Sequence, residues 1–170
     1  QKANALGAVI YIHPAHPVGV EAMEQYWLMP LVGFLMDTTL AAAHLVFAGV
    51  PERYPKIKWV LCHMGGAVPY LAERFDRGYE AFAECRVNIS RAPSTYLKQF
   101  YYDTVNFDLN AIELAIKFAG ADHILAGSDY PHQIGSIPKM LDAISRLPVS
   151  PAEREGIYGR NAARLLGGGE

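Results

Sequence analysis

Three residues able to bind a metal stand at matching places in this chain: His13, His63 and Asp129. Each closes an apolar run and is followed at once, or one residue later, by a chain breaker. Ala8-Val9-Ile10-Tyr11-Ile12 runs into His13-Pro14, and Ile57-Lys58-Trp59-Val60-Leu61-Cys62 runs into His63-Met64-Gly65-Gly66. Ile124-Leu125-Ala126-Gly127-Ser128 runs into Asp129-Tyr130-Pro131. Imidazole nitrogens and a carboxylate are the ligand types of a catalytic zinc or manganese ion. A histidine in such a place can instead carry the proton, because its ordinary pKa lies near neutrality. One strand-end histidine alone is more commonly a hydrogen-bonded structural residue. Three matching ends argue for a shared site.

The elements that position them follow from the spacing. The runs are short, rich in β-branched and aromatic residues and bounded by breakers, so they read as buried strands over 8–14, 57–63, 100–104 and 123–129. Gly65 and Gly66 allow a turn that other residues resist, and Pro69 suits the first turn of a helix. Helical stripes lie between the strands: Met36, Leu40, Ala43 and Phe47; Val68, Leu71, Phe75, Tyr79 and Phe82; Leu109, Ile112 and Ile116; Ile137, Met140, Leu141 and Ile144. Residues 15–30 hold Pro17, Gly19 and Pro30 and read as a loop with at most one helical turn. Ser150-Pro151-Ala152-Glu153 is a capping box. A short helix over 159–166 and a flexible Gly167-Gly168-Gly169 end are expected after it. Alternating strands and helices demand a parallel sheet with right-handed crossovers. His13, His63, Thr104 and Asp129 then share the carboxyl rim, where such sheets bind ligands.

Composition narrows the function classes. With 170 residues, 51% hydrophobic and 19% charged, the chain reads as one globular domain over 1–170. A net charge of −2 without a Lys/Arg cluster gives no footprint for nucleic acid. No apolar stretch is expected to reach the roughly 18 residues that span a bilayer, so no membrane partner is expected. Cys62 and Cys85 form no disulfide framework; Cys62 reads as a small core residue, and a reducing cytoplasm is the expected setting. Among other candidates, His132 follows Asp129 on the active face and can touch substrate, and Arg74 can anchor a carboxylate. His16 can pair with His13 as a ligand. His44 reads as packing or surface, and His123 as structural at the opposite end of its strand.

The three motifs together resemble a known family. His13-Pro14, then His63-Met64-Gly65-Gly66-Ala67-Val68-Pro69-Tyr70-Leu71 with Arg74, then Gly127-Ser128-Asp129-Tyr130-Pro131, are similar to the second half of metal-dependent amidohydrolase-related proteins. The nearest branch holds aminocarboxymuconate-semialdehyde decarboxylase and the resorcylate-type decarboxylases. The resemblance implies a TIM-type (β/α)₈ barrel of which this chain supplies strands five to eight. It implies that His13 ligates the metal and that His63 handles protons or the attacking water. Asp129 would touch both the metal and its water. Arg74 would contact substrate, reaching into a neighbouring subunit's site, so a homo-oligomer is expected. The implied cofactor is a divalent ion, zinc first and manganese second, and the implied partner is a small carboxylate substrate.

The family's first metal motif, a His-x-His after strand one, is absent along with strands one to four. A full barrel takes about 250 residues. Four strands cannot close it, and two open edges invite pairing. The chain opens at Gln1 with what reads as the tail of a helix. The expectation is therefore a part of a longer polypeptide, with association of two half-barrels as the other possibility. Non-oxidative decarboxylation of a small unsaturated or aromatic acid is the expected activity. Metal-assisted hydrolysis of a small carboxylate or lactone is the alternative enzyme, and a non-catalytic fragment the alternative from another class.

Overall fold

The computed structural model describes residues 1–167. Four parallel strands lie in chain order: β1 (Val9–Ile12), β2 (Lys58–Leu61), β3 (Tyr101–Asp103) and β4 (Ile124–Leu125). The helices are α1 (Lys2–Leu6), α2 (Phe34–Phe47), α3 (Val50–Arg53), α4 (Val68–Ala81), α5 (Pro93–Leu97), α6 (Leu109–Ala119), α7 (Ile137–Arg146), α8 (Pro151–Glu155) and α9 (Asn161–Leu165). The strands are shorter than the apolar runs, so His13, His63 and Asp129 stand just past the strand ends rather than on them. The expected capping box is present: Ser150 Oγ accepts from Glu153 N–H, and the Glu153 carboxylate accepts from Ser150 N–H. Most of the expected Gly167–Gly169 end lies outside the described residues.

Register fixes two faces. Tyr11 lies opposite Val60 and Val60 opposite Tyr101, while Asp103 lies opposite Leu125. Because neighbouring side chains alternate along a strand, Ile10, Ile12, Trp59, Leu61, Tyr102 and Ile124 all point the other way, into the main core under the helices. On the first face, Val9, Val60, Tyr101 and Leu125 form a small cluster with Leu165 and Ala162. Tyr11 and Asp103 extend that face towards the carboxyl rim.

Four expectations need correction. Residues 15–30 hold a 3₁₀ turn at Val20–Ala22, and a π-helical turn at Met29–Gly33 then runs directly into α2. Pro30 sits in the first turn of that helix, where its missing N–H costs nothing. Met29–Phe47 is thus one 19-residue helix, long and apolar enough by length and composition to cross a membrane, contrary to the expected absence of such a stretch. The buried face of α2 is also not the predicted one. Thr38, Thr39, Ala42 and Val46 are buried, whereas Met36 and Leu40 are 45% and 44% exposed. Thr38 and Thr39 donate to Phe34 O and Leu35 O one turn back, which removes the cost of burying their hydroxyls. Phe82 lies beyond the end of α4 and is exposed, outside the stripe assigned to it.

Candidate active site

The turn after β2 is built around a rare backbone. His63, Met64, Gly65 and Gly66 all have positive φ, at 52°, 59°, 73° and 60°. For the two non-glycine residues this costs about 1–2 kcal/mol each, so the surroundings must hold them there. Gly65 and Gly66 are obligatory for a second reason. A Cβ on Gly65 would lie 2.6 Å from the Tyr102 ring, and one on Gly66 2.1 Å from Leu35 O. The turn is tied down by Met64 N–H donating to Asp103 Oδ1 (3.0 Å) and Ala67 N–H donating to Thr39 Oγ1 (2.9 Å). The result presents the His63 ring at the rim while the side chain stays buried.

His13 Nδ1–H donates to Pro14 O at 2.8 Å, which leaves the lone pair on Nε2. This is the arrangement of a ligating imidazole, whose second nitrogen is usually held by a backbone carbonyl or a carboxylate. The His13 and His63 rings lie 5.1 Å apart by centroid. His13, Cys62 and His63 each offer one ligand atom within 4.8 Å of the other two. Asp129 joins through His63: its Oδ1 is 3.8 Å from Nε2. Asp129 also has positive φ (54°), and His132 N–H donates to its backbone oxygen at 2.9 Å.

Two participants escaped the sequence reading. Cys62, read as a core thiol, is buried but faces the site, with Sγ 3.1 Å from His63 Nδ1 and 3.5 Å from Thr38 Oγ1. Asp103, one residue before the Thr104 assigned to the rim, is fully buried. Besides Met64 N–H, it accepts from Val105 N–H (3.0 Å) and from the Tyr11 hydroxyl (2.5 Å). Thr104 instead clips β3 to β4, exchanging hydrogen bonds with Gly127. The parity of Tyr11, Cys62 and Asp103 on paired strands would have revealed both residues.

Burial dominates the electrostatics. It pushes the His63 pKa below the usual imidazole value; Asp103 and Asp129 oppose this, and His13 and His132 add to it. Burial pushes the Cys62 thiol up to about 12 and raises Tyr11 as well, Tyr11 helped by neighbouring Asp103. The Asp103 carboxyl is also raised by burial, while its three donors pull it back. Burial thus favours the neutral forms of both His63 and the Cys62 thiol.

The remaining expected residues lie further out. His132 is exposed beside Asp129. Arg74 is exposed in the second turn of α4 and has no hydrogen-bond or ion-pair partner among the described residues. His16 is exposed and outside the ligand group. His123 Nδ1–H donates to Phe100 O, and the ring stacks on Tyr101, as a structural residue would.

The family profile described as amidohydrolase matches residues 1–168. The chain belongs to the amidohydrolase family. Its relatives include the 2-amino-3-carboxymuconate-6-semialdehyde decarboxylase of Dictyostelium discoideum, 32% identical over 98% of this chain and 47% of that protein. Among solved structures, the dihydroxybenzoic acid decarboxylase of Polaromonas sp. JS666, with bound manganese and the inhibitor 2-nitroresorcinol, superposes with a TM-score of 0.85. It is 28% identical, over 97% of this chain and 51% of that one. A 2,6-dihydroxybenzoate decarboxylase complexed with 2,6-dihydroxybenzoate gives 0.86 at 28% identity, over 98% and 53%. The chain thus spans about half the length of these amidohydrolase relatives. Its fold is the parallel α/β barrel type, with this chain covering about the second half.

Proposed function

We propose that this chain contributes part of the active site of a divalent-metal-dependent decarboxylase acting on a small aromatic or unsaturated carboxylic acid. The observation that carries the reading is that His13 and His63 lie together past two strand ends and Asp129, past a third, stands 3.8 Å from His63, with His13 Nε2 left free to ligate. An imidazole and a carboxylate fit a divalent ion, and the relatives named as decarboxylases support the same chemistry. Manganese is bound in the Polaromonas structure; for this chain we favour zinc, which imidazole nitrogen suits as a ligand, with manganese second.

In this reading His13 and Asp129 hold the ion, which would orient the substrate carboxylate and polarise its neighbouring oxygen. His63, kept neutral by burial, takes a proton from the substrate or its water. As the bond to the carboxylate carbon breaks and carbon dioxide leaves, the electron pair left on the substrate carbon takes that proton from His63. His132 lines the mouth beside Asp129. Arg74, solvated on its own chain, is suited to a substrate carboxylate in a neighbouring copy, and a homo-oligomer goes with that role. A reducing, cytoplasmic setting suits the free thiols of Cys62 and Cys85.

The test is to incubate the complete protein, loaded with zinc or manganese, with 2,6-dihydroxybenzoate and related acids. Carbon dioxide release with loss of the carboxylate is the expected result. Addition of water without carbon dioxide would replace the reading with a hydrolase, and no metal uptake would overturn it.

A further inference from the structure

Three buried or nearly buried side chains make an unbroken line from α2 to the site. Thr38 Oγ1 is 3.0 Å from Phe34 O, Cys62 Sγ is 3.5 Å from Thr38 Oγ1, and His63 Nδ1 is 3.1 Å from Cys62 Sγ. Thr38 and Cys62 are each 1% exposed and His63 7%, so water does not compete along the line. The direction of every bond is set by its first member. A backbone carbonyl only accepts, so the Thr38 hydroxyl spends its single proton on Phe34 O. Thr38 Oγ1 then offers only lone pairs to Cys62, and the thiol must donate. With that proton committed, Sγ offers only lone pairs to His63, and the Nδ1–H must donate. A neutral imidazole carries one N–H, so Nε2 is left with the lone pair.

The geometry points to Thr38 and Cys62 as positioning residues that lock His63 in its Nδ1–H form, with the Nε2 lone pair directed at the site beside Asp129. An independent distance agrees. His63 Nε2 and Asp129 Oδ1 stand 3.8 Å apart, too far for a direct hydrogen bond. Two acceptors facing each other stay apart in this way, whereas a protonated Nε2 would close on the carboxylate. A donor or a cation between them satisfies both. The inference rests on the reading of His63 as the proton carrier, for which a free Nε2 lone pair is the required starting form. His13 reaches the same form by a different route, through Pro14 O.

The experiment is nitrogen-15 NMR of the zinc-loaded complete protein with labelled histidine, the His63 signals being assigned by their loss in His63→Gln. A protonated Nδ1 and an unprotonated Nε2 are expected. Thr38→Val removes the acceptor of the thiol proton, frees the thiol to donate to Nδ1 and should transfer the ring proton to Nε2. That variant should lose about tenfold or more in kcat with KM little changed, the scale of an impaired proton transfer. Cys62→Ala should give a mixture of both ring forms, and Cys62→Ser, whose hydroxyl can accept and donate in the same places, should restore the single form. A wild-type His63 protonated on Nε2 overturns the inference without any variant, as does an unchanged ring form in Thr38→Val. The expected ring form in a protein that binds zinc but releases no carbon dioxide would uphold this inference and count against the decarboxylase reading alone.

Discussion

The two faces of the sheet are made from adjacent residues yet solve opposite problems. Ile12, Leu61, Tyr102 and Ile124 turn towards the helices and bury apolar surface. Tyr11, Cys62 and Asp103, each one residue away from a member of that set, turn to the other face and bury polar groups joined by hydrogen bonds. On the helix side burial is favourable in itself. On the other side every buried group needs a partner, because an unsatisfied one costs free energy instead of contributing it. Tyr11 is still 52% exposed, and among the described residues the buried apolar side chains of this face are the small cluster of Val60, Leu125 and Leu165. Apolar burial is thus concentrated on one face and the polar groups of the candidate site on the other, with a single peptide unit separating them.

The sharpest break between the faces is expected at His63. His63→Ala in the complete protein should lower kcat by about 10²–10⁴-fold, the range of a positioned acid–base group. Metal content measured by elemental analysis should stay near that of the wild type. Loss of metal in step with activity would make His63 a ligand rather than the proton carrier. Across the sheet, Leu61→Ala should do the reverse. A fully buried leucine leaves a cavity worth about 2–5 kcal/mol, read as a lower denaturant midpoint. Metal affinity should change little, and a matching loss of metal would show that the two faces do not act independently.

How far these faces could be read from the chain depended on contrast. His13, His63 and Asp129 were legible because each interrupts an apolar run just before a breaker, and parallel topology sends such interruptions to one rim. Cys62 was not, since a small sulfur residue at the end of an apolar run looks the same whether it faces core or site. Asp103 was masked by Thr104, one position later and equally polar. Only the pairing register, which depends on contacts distant in sequence, separates them. Helix α2 failed for lack of contrast of another kind. It is apolar nearly all round, so no stripe marks the buried side, and two threonines are buried by bonding back to their own helix. The parallel direction of the strands and the crossover helices needed none of this and followed from alternation, while the sequential strand order is what the family resemblance implied.

A subtler change tests whether the polar face also supports the fold. Asp103 accepts from Tyr11, Met64 and Val105. Asp103→Asn keeps the shape, but its amide nitrogen cannot accept, so at least one of the three donors is stranded. The expected cost is about 1–3 kcal/mol, visible as a shifted denaturant midpoint with an unchanged slope. Because Met64 follows His63 in the strained turn, kcat should fall as well, while Leu61→Ala leaves it almost untouched. An Asp103→Asn protein as stable and as active as the wild type would mean that the turn holds its left-handed residues without this carboxylate.

The smallest effect concerns the one residue of the helix layer proposed to meet substrate. Arg74 lies exposed on α4, so Arg74→Ala should leave stability within about 0.5 kcal/mol, as surface changes away from special features do. If its guanidinium reaches a substrate carboxylate in a neighbouring copy, a charge-assisted bond of about 1.5–3 kcal/mol is lost. KM for the acid should then rise at least about tenfold, with kcat almost unchanged. The dependence should vanish when the protein is diluted to a monomer, because the contact needs the second copy. An unchanged KM at all protein concentrations would confine the chemistry to the rim side of the sheet and leave the helices as support only. A raised KM that persists in the monomer would mean that α4 reaches its own rim by a movement of the segment between Gly66 and Arg74. The left-handed turn would then be a hinge as well as a mount for His63.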